Sequence, residues 1–300
     1  MLAPLHHCHC FVKLSLSCLV IAALIPSALA QRKTSEPTAS VAEMVSRAES
    51  GDTAAQQHLF NLLSQGDPAD PGYDLTLAWA RSLASQDDPN ARFLLGYLYE
   101  YGRGVPRDYT KAAENYEAAA AQGHANAQNN LAFLYHNGLG VPKDQGKAFH
   151  LYLSAAQRQI PTAQWNLGHF YYEGIGTPRD CSEAARWFRA AAELGDSLAQ
   201  YDLGSLYFRG VGVPVDYIEA ARWALLAAQQ GNIKAQTALA SLYESGKGVP
   251  LDYVAAYAWY SRAIAGGDRT ASERRKSLYH LMTSKQREKA DTLLSVLMAH

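Results

Sequence analysis

The sequence has almost no excess of charge of either sign. Its 300 residues include 27 Lys and Arg against 28 Asp and Glu, which gives a formal net charge of −1 and a pI of about 6.8. Binding to a nucleic-acid backbone or to an anionic membrane depends on a basic stripe that neutralises phosphates. We therefore expect no nucleic-acid partner. The content of 48% apolar residues is instead typical of a globular chain with a large core.

The apolar run near the N-terminus is too short to cross a membrane. It extends over Leu14–Ile25, whereas a transmembrane helix needs roughly 18 or more apolar residues. Pro26 and small residues up to Ala30 follow it, an order typical of a secretory signal peptide. We predict a signal peptide over residues 1–30, a linker over 31–39, no transmembrane span, and export to the periplasm or the medium.

Cysteine is also scarce. The chain has four, and three of them lie within the predicted leader, so Cys181 is alone in the mature chain. No intramolecular disulfide can then form, and the fold must rest on packing. The cluster "HHCHC" at His6–Cys10 has the residue types of a zinc site, but it precedes the predicted cleavage site and lacks a second ligand pair downstream.

Catalytic signatures are missing as well. The sequence has no Ser-x-x-Lys, Gly-x-Ser-x-Gly or His-Glu-x-x-His motif in a suitable context. We therefore predict a protein that is not an enzyme, with no catalytic residue, no metal and no cofactor.

One phrase, Gly-x-Gly-Val/Thr-Pro-x-Asp, recurs five times at intervals of 36 residues. It begins at Gly102, Gly138, Gly174, Gly210 and Gly246. A fixed period of this size is the signature of stacked repeats. Amphipathic helical patterns precede and follow each phrase. Each unit therefore consists of a helix A, a loop and a helix B.

The phrase is explained by backbone chemistry. In "GVGVPVD" at residues 210–216, the first glycine permits the left-handed end of helix A, and the second permits another turn with positive φ. Proline stops the helix, and Asp216 offers an acceptor to the free amides of helix B. We expect Glu183 and Glu219 to complete capping boxes. A phosphate-binding loop would instead follow a strand and carry a lysine, which is missing here.

Two columns of residues predict how the helices pack. Small residues occupy one position of helix A and tryptophans occupy one position of helix B, which suggests small-against-large packing between the columns. The small column is Ala132, Gly168, Gly204 and Ala240, and the large column is Trp187, Trp223 and Trp259.

The register gives six units over residues 52–267. The first unit is degenerate, because "GDPADPGYD" replaces its glycine phrase. We expect an N-terminal capping helix over 40–51 and capping helices over 268–300, as terminal repeats of such stacks require.

The order A-Q-x-x-L-G/A-x-L-Y, then G-x-G-V-P-x-D, then A-x-x-W-Y-x-x-A-A resembles the Sel1-like repeat (SLR) family, relatives of tetratricopeptide repeats. The resemblance covers nearly the whole mature chain. It implies an all-α fold, a right-handed αα-superhelix or solenoid, that serves as an adaptor or scaffold in bacterial envelopes, among secreted host-interaction factors or in the endoplasmic reticulum. A fold by itself does not identify a ligand.

The same resemblance implies that helix A lines a concave groove. The A-helix face opposite the core varies from unit to unit and is rich in aromatic residues, which suit a recognition surface. The alternative is that these rings only fill space between successive A helices. The candidate partner-binding residues are Phe93, Tyr97, Asn129, Phe133, Trp165, His169, Tyr172, Tyr201 and Phe208.

These observations favour an exported, monomeric, non-enzymatic scaffold that binds a protein or peptide in its groove. One alternative is a secreted host-interaction (virulence) factor of the same fold. Another is an enzyme that binds β-lactams or cell-wall fragments, since some family members are linked to penicillin binding. Those relatives carry a cysteine pair in each repeat, and this sequence does not.

Overall fold

The structure is a computed structural model that describes residues 40–298. The predicted signal peptide and linker therefore lie outside the described residues. Within residues 40–298 the chain forms fifteen α-helices and no strand. The helices are α1 (Val41–Glu49), α2 (Thr53–Gln65), α3 (Tyr73–Ser85), α4 (Pro89–Tyr101), α5 (Tyr109–Ala121), α6 (Ala125–Asn137), α7 (Gln145–Gln157), α8 (Pro161–Glu173), α9 (Cys181–Glu193), α10 (Ser197–Arg209), α11 (Tyr217–Gln229), α12 (Ile233–Ser245), α13 (Tyr253–Ala265), α14 (Ala271–Leu281) and α15 (Ser284–Met298).

The sequence period is reproduced in the helices. From α2 to α13, A and B helices alternate, each is 13 residues long, and equivalent helices begin 36 residues apart. The pair α2 and α3 keeps this spacing although its loop is degenerate. The predicted all-α solenoid is therefore confirmed. No helix in the described part of the chain is both long enough and apolar enough to span a membrane.

The chain divides into two compact units. Of the described residues, unit 1 contains 40–124 together with 139–141, and unit 2 contains 125–138 together with 142–298. In each unit, successive A and B helices pack side by side. In unit 1 the core includes Leu59 and Leu98, and in unit 2 it includes Leu203, which are all fully buried. The capping helices α1, α14 and α15 occupy the predicted terminal segments.

The loops have the predicted backbone. Both glycines of each phrase have positive φ, for example +67° at Gly210 and +72° at Gly212. Asp216 accepts hydrogen bonds from the backbone N–H groups of Ile218 and Glu219, at 2.9 and 3.0 Å. The aspartates of the other four phrases cap their B helices in the same way.

The two predicted capping boxes are wrong. The Glu183 carboxylate accepts a hydrogen bond from Arg186 instead of from the helix N-terminus. The Glu219 carboxylate accepts a hydrogen bond from Arg222 and another, of 2.9 Å, from the indole Nε1 of Trp223. The N-cap N–H groups that would complete the boxes are already used: Asp180 N–H donates to the Tyr171 carbonyl at 2.8 Å, and Asp216 N–H donates to the Tyr207 carbonyl at 3.0 Å. The sequence pattern of a capping box does not show this bond to the preceding helix.

The second glycine of each phrase determines how closely the repeats stack. At Gly176, Gly212 and Gly248, an added Cβ would lie within 3.0 Å of the backbone carbonyl at the first residue of the preceding B helix. A loop therefore rests directly on the neighbouring repeat, and only glycine allows this approach.

At Gly168 and Gly96 the small column of helix A packs one residue away from the predicted column of helix B. A Cβ added at Gly168 would lie 2.6 Å from the Phe188 ring, and one at Gly96 would lie 2.6 Å from the Tyr116 ring. Phe188 and Tyr116 occupy the position after the tryptophan column. Trp187 is half-buried, with the Arg186 guanidinium over its ring at 4.9 Å. At Gly204 an added Cβ would lie 3.4 Å from the Cβ of buried Trp223, which is the predicted pairing. The predicted column is therefore met at Gly204 and displaced by one residue at Gly168.

The glutamine that marks the start of each A helix has a structural role. Its side-chain Nε2 donates to a backbone carbonyl near the end of the preceding B helix, eight residues earlier. The bonds are Gln56 to Ala48, Gln164 to Ala156, Gln200 to Ala192 and Gln236 to Ala228, at 3.0 to 3.2 Å. At these four junctions a glutamine side chain thus satisfies a helix-terminal carbonyl.

Candidate functional site

None of the nine candidate residues is fully exposed. Asn129, Trp165 and Tyr172 are buried, with 6%, 9% and 9% of their surface exposed. The other six are half-buried. Phe93 and Tyr97 belong to unit 1, and the remaining seven belong to unit 2. In each unit the A-helix face therefore carries partly covered aromatic rings, and their contact with a partner stays a prediction.

In unit 1 the aromatic residues pack around a buried carboxyl group. The Phe93 ring stacks on His124, with centroids 4.6 Å apart, and the Tyr97 ring lies 4.6 Å from Tyr101. Glu100 is only 5% exposed, and its Oε2 accepts a hydrogen bond of 2.6 Å from the Tyr116 hydroxyl. Burial raises the pKa of Glu100 to about 7, although the hydrogen bonds from tyrosine oppose this shift.

In unit 2 the best-organised part of this face is a cluster around Asp202. The Trp165 Nε1 donates to Asp202 Oδ2 at 2.8 Å, and His169 Nε2 lies 3.0 Å from the same oxygen. The Trp165 and His169 rings meet edge to face at 4.6 Å. Because Trp165 is on α8 and Asp202 is on α10, the cluster joins two successive A helices. The other carboxylate oxygen, Oδ1, has no hydrogen-bond partner in the described chain.

A second contact, again between residues separated in sequence by one repeat plus one residue, joins α6 to α8. The Asn166 Nδ2 donates to Asn129 Oδ1 at 3.3 Å, and the Asn129 Nδ2 donates to Asn130 at 3.1 Å. Asn130 and Asn166 are each 5% exposed, so both are buried rather than solvated. Phe133 and Tyr201 lie half-buried on the same face. Polar side chains thus fix the spacing between A helices while aromatic rings fill it.

Tyr172 and Phe208 lie at the end of this face that is nearest the loops. Arg209 Nη1 donates to the Tyr172 hydroxyl at 3.2 Å, again between α8 and α10. Phe208 packs against Tyr217, with ring centroids 5.3 Å apart.

The sequence did not single out Asp202 as a shared acceptor. Its spacing of 37 residues from Trp165, one repeat plus one residue, is the signal that could have done so.

This arrangement supplies fixed aromatic edges and hydrogen-bonding groups. Among residues 40–298, no cluster of three His, Cys, Asp or Glu side chains is arranged to hold a metal ion. The carboxylate of Asp202 is held rigidly by Trp165 and is only partly exposed, at 20% of its side-chain surface. Such a surface is suited to contact with a peptide or protein.

Comparison with known protein families matches the Sel1 repeat five times, at residues 89–124, 125–159, 161–196, 197–232 and 233–268. Segment 52–88 is outside these matches, so its assignment as a sixth repeat stays a prediction. A search of curated proteins gave no match.

Two solved structures are similar in fold and in sequence. One is an SLR-fold protein described as a protective antigen present in uropathogenic Escherichia coli strains, with a TM-score of 0.74 and 32% identity over 84% of this chain. This chain covers 54% of that protein's length. The other is a Sel1 repeat protein from Oxalobacter formigenes, with a TM-score of 0.64, 29% identity, and coverage of 84% of this chain and 95% of that one.

Proposed function

The chain belongs to the Sel1 repeat family, and from this premise we propose that it is an exported, non-enzymatic scaffold that binds a protein partner. The binding surface is the A-helix face of α6, α8, α10 and α12. The observation that carries the proposal is the cluster in which Trp165, His169 and Asp202 tie two A helices together.

This cluster has the properties of an interaction surface rather than of packing alone. A hydrophobic core does not need a carboxylate, and placing one there costs free energy unless it is hydrogen-bonded. Here Asp202 is bonded through one oxygen and leaves the other available to a ligand. The surrounding half-buried rings supply contact area that is already ordered, which lowers the entropic cost of binding.

The sequence pattern of residues 1–30 supports export. A leader with a short apolar run and small residues before the cleavage site directs a chain to the secretory route. The similarity to a protective antigen of uropathogenic strains favours, as a second candidate, a partner on a host cell. The two candidates share the same surface and differ in where the partner is found.

A single bulky substitution on the A-helix face tests the proposal. Alanine at Trp165 would empty a buried site and destabilise the repeat by about 3–5 kcal/mol, so loss of binding would be ambiguous. We instead expect Ser205→Arg, at a half-buried position one turn after Tyr201, to reduce partner capture at least tenfold by steric obstruction. The matched control is Leu226→Arg on helix B, where the replaced side chain is 37% exposed.

The measurement is quantitative capture from the envelope fraction of the source cells, with the purified mature chain as bait. Thermal unfolding of both variants checks that they fold alike. Equal capture by wild type and Ser205→Arg would contradict the assignment of this face.

A further inference from the structure

Two arginines meet on Tyr172, at the end of the A-helix face nearest the loops. The Arg179 guanidinium carbon lies 5.5 Å from the centre of the Tyr172 ring, and its Nε donates to the Tyr172 backbone oxygen at 2.9 Å. Arg209 donates to the hydroxyl of the same tyrosine at 3.2 Å. One aromatic side chain therefore positions two cations.

A third cation continues this surface. The Lys247 Nζ lies 5.3 Å from the centre of the Phe208 ring and 5.1 Å from that of Tyr217. Phe208 packs against the same buried cluster that contains Tyr172, so the two groups share one part of unit 2. We call this surface the basic strip. It consists of Arg179, Arg209, Lys247, Tyr172, Phe208 and Tyr217.

Ring-stacked cations of the described chain differ in whether they have an acidic partner: Arg107, Lys147 and Arg189, for example, form no ion pair. Elsewhere in the described chain, Lys111, Arg186 and Arg222 also stack on aromatic rings. Each of those three forms an ion pair, with Asp108, Glu183 and Glu219 respectively, at 2.9 to 3.4 Å. Within residues 40–298, no carboxylate lies at ion-pair distance from the three cations of the basic strip.

The acidic residues closest in sequence do not neutralise the three cations of the basic strip. Asp180 and Asp216 are used as helix caps. Glu244 is within 3.9 Å of Arg274 and also accepts a hydrogen bond from Tyr260. Glu173, which follows Tyr172, is exposed and offsets only one of the three positive charges. The basic strip therefore keeps an excess of positive charge.

We propose that the basic strip binds an acidic segment of the partner protein, rich in aspartate or glutamate. This inference rests on the proposed function, because it assigns a chemistry to one end of the same surface. Ring stacking holds Arg179 and Lys247 in place, and the hydrogen bond to the Tyr172 hydroxyl holds Arg209. The remaining N–H groups can bind carboxylates. The near-neutral charge of the whole chain means that this attraction is local and does not extend to polyanions in general.

The test is fluorescence anisotropy with a labelled oligoglutamate peptide, with oligoglutamine and oligolysine peptides for comparison. The variant combines Arg179→Gln, Arg209→Gln and Lys247→Gln. The matched control combines Lys111→Gln, Arg186→Gln and Arg222→Gln, which makes the same change in charge at ring-stacked cations that already have acidic partners.

We expect wild type to bind oligoglutamate in preference to the other two peptides. The basic-strip variant should bind it about tenfold more weakly, since it removes three exposed charge pairs that are each individually weak. The control should change less than threefold, and added salt should weaken wild-type binding. Equal losses in the two variants, failure of wild type to bind oligoglutamate, or tighter binding of a DNA oligonucleotide would overturn the inference.

The result of the peptide-binding test can be distinguished from the result of the capture test of the proposed function. If the basic-strip variant still captures the partner that Ser205→Arg loses, the acidic-segment inference fails and the scaffold proposal stands. If oligoglutamate binds as expected while Ser205→Arg retains full capture, the A-helix face is the part that fails.

Discussion

Gly212→Ala is expected to lower the free energy of unfolding by about 3–5 kcal/mol, since it combines a strained backbone with a steric clash. Gly212 has a φ of +72°, and its added Cβ would lie well within 3.0 Å of the Cys181 carbonyl. The clash is with backbone, which cannot rotate away. The loop would therefore have to lift from helix α9, and the contact between two repeats would be lost.

Gly231→Ala is the matched control. Gly231 also has positive φ, +85°, but a Cβ added there meets no atom within 4 Å. Its cost should be the backbone strain alone, about 1–2 kcal/mol. The measurement is urea unfolding followed by circular dichroism. Equal costs for the two variants would mean that the loop does not support the neighbouring repeat.

Glu100→Gln is expected to stabilise the protein by up to about 3 kcal/mol at pH 8 and to have little effect near pH 4.5. The pKa of Glu100 is raised from 4.5 to about 7 by burial, and each pKa unit corresponds to about 1.4 kcal/mol. For a carboxyl group whose folded-state pKa is raised, stability is fully present below the unfolded pKa. That stability is then lost as the pH rises from about 4.5 through about 7. Glutamine keeps the shape of the side chain and cannot ionise.

Glu244→Gln provides the comparison for this prediction. Glu244 accepts the same kind of tyrosine hydrogen bond, from Tyr260 at 2.7 Å, but Arg274 also lies 3.9 Å from its carboxylate. Removing the charge there leaves Arg274 without its acid, so no stabilisation is expected at pH 8. Urea unfolding of both variants across pH 4.5 to 8 makes the test. A pH dependence that is the same in Glu100→Gln and wild type would contradict the assignment.

Features that depend on local backbone geometry could be predicted from the sequence. The glycine phrase and its aspartate cap involve only neighbouring residues, so their φ values and hydrogen bonds followed from residue type. The helix pairs followed from the 36-residue period in the same way.

Features that depend on contacts between helices were harder to predict from the sequence. The capping boxes failed because the N–H groups of Asp180 and Asp216 donate to carbonyls of the preceding helix. The small column meets the predicted tryptophan at Gly204 but the next residue at Gly168, because a periodic pattern specifies the face of a helix only to within about one residue. The burial of Trp165 depends on Asp202 in the next repeat, which the pattern within a single repeat does not contain.

The most direct test of the account is site-specific photo-crosslinking in the source cells, with benzoylphenylalanine at position 205 on the A-helix face or at position 226 on helix B. The account predicts one dominant protein adduct from position 205 and none from position 226. The same adduct from both positions, or adducts from position 226 alone, would contradict the central claim that the A-helix face is the binding surface.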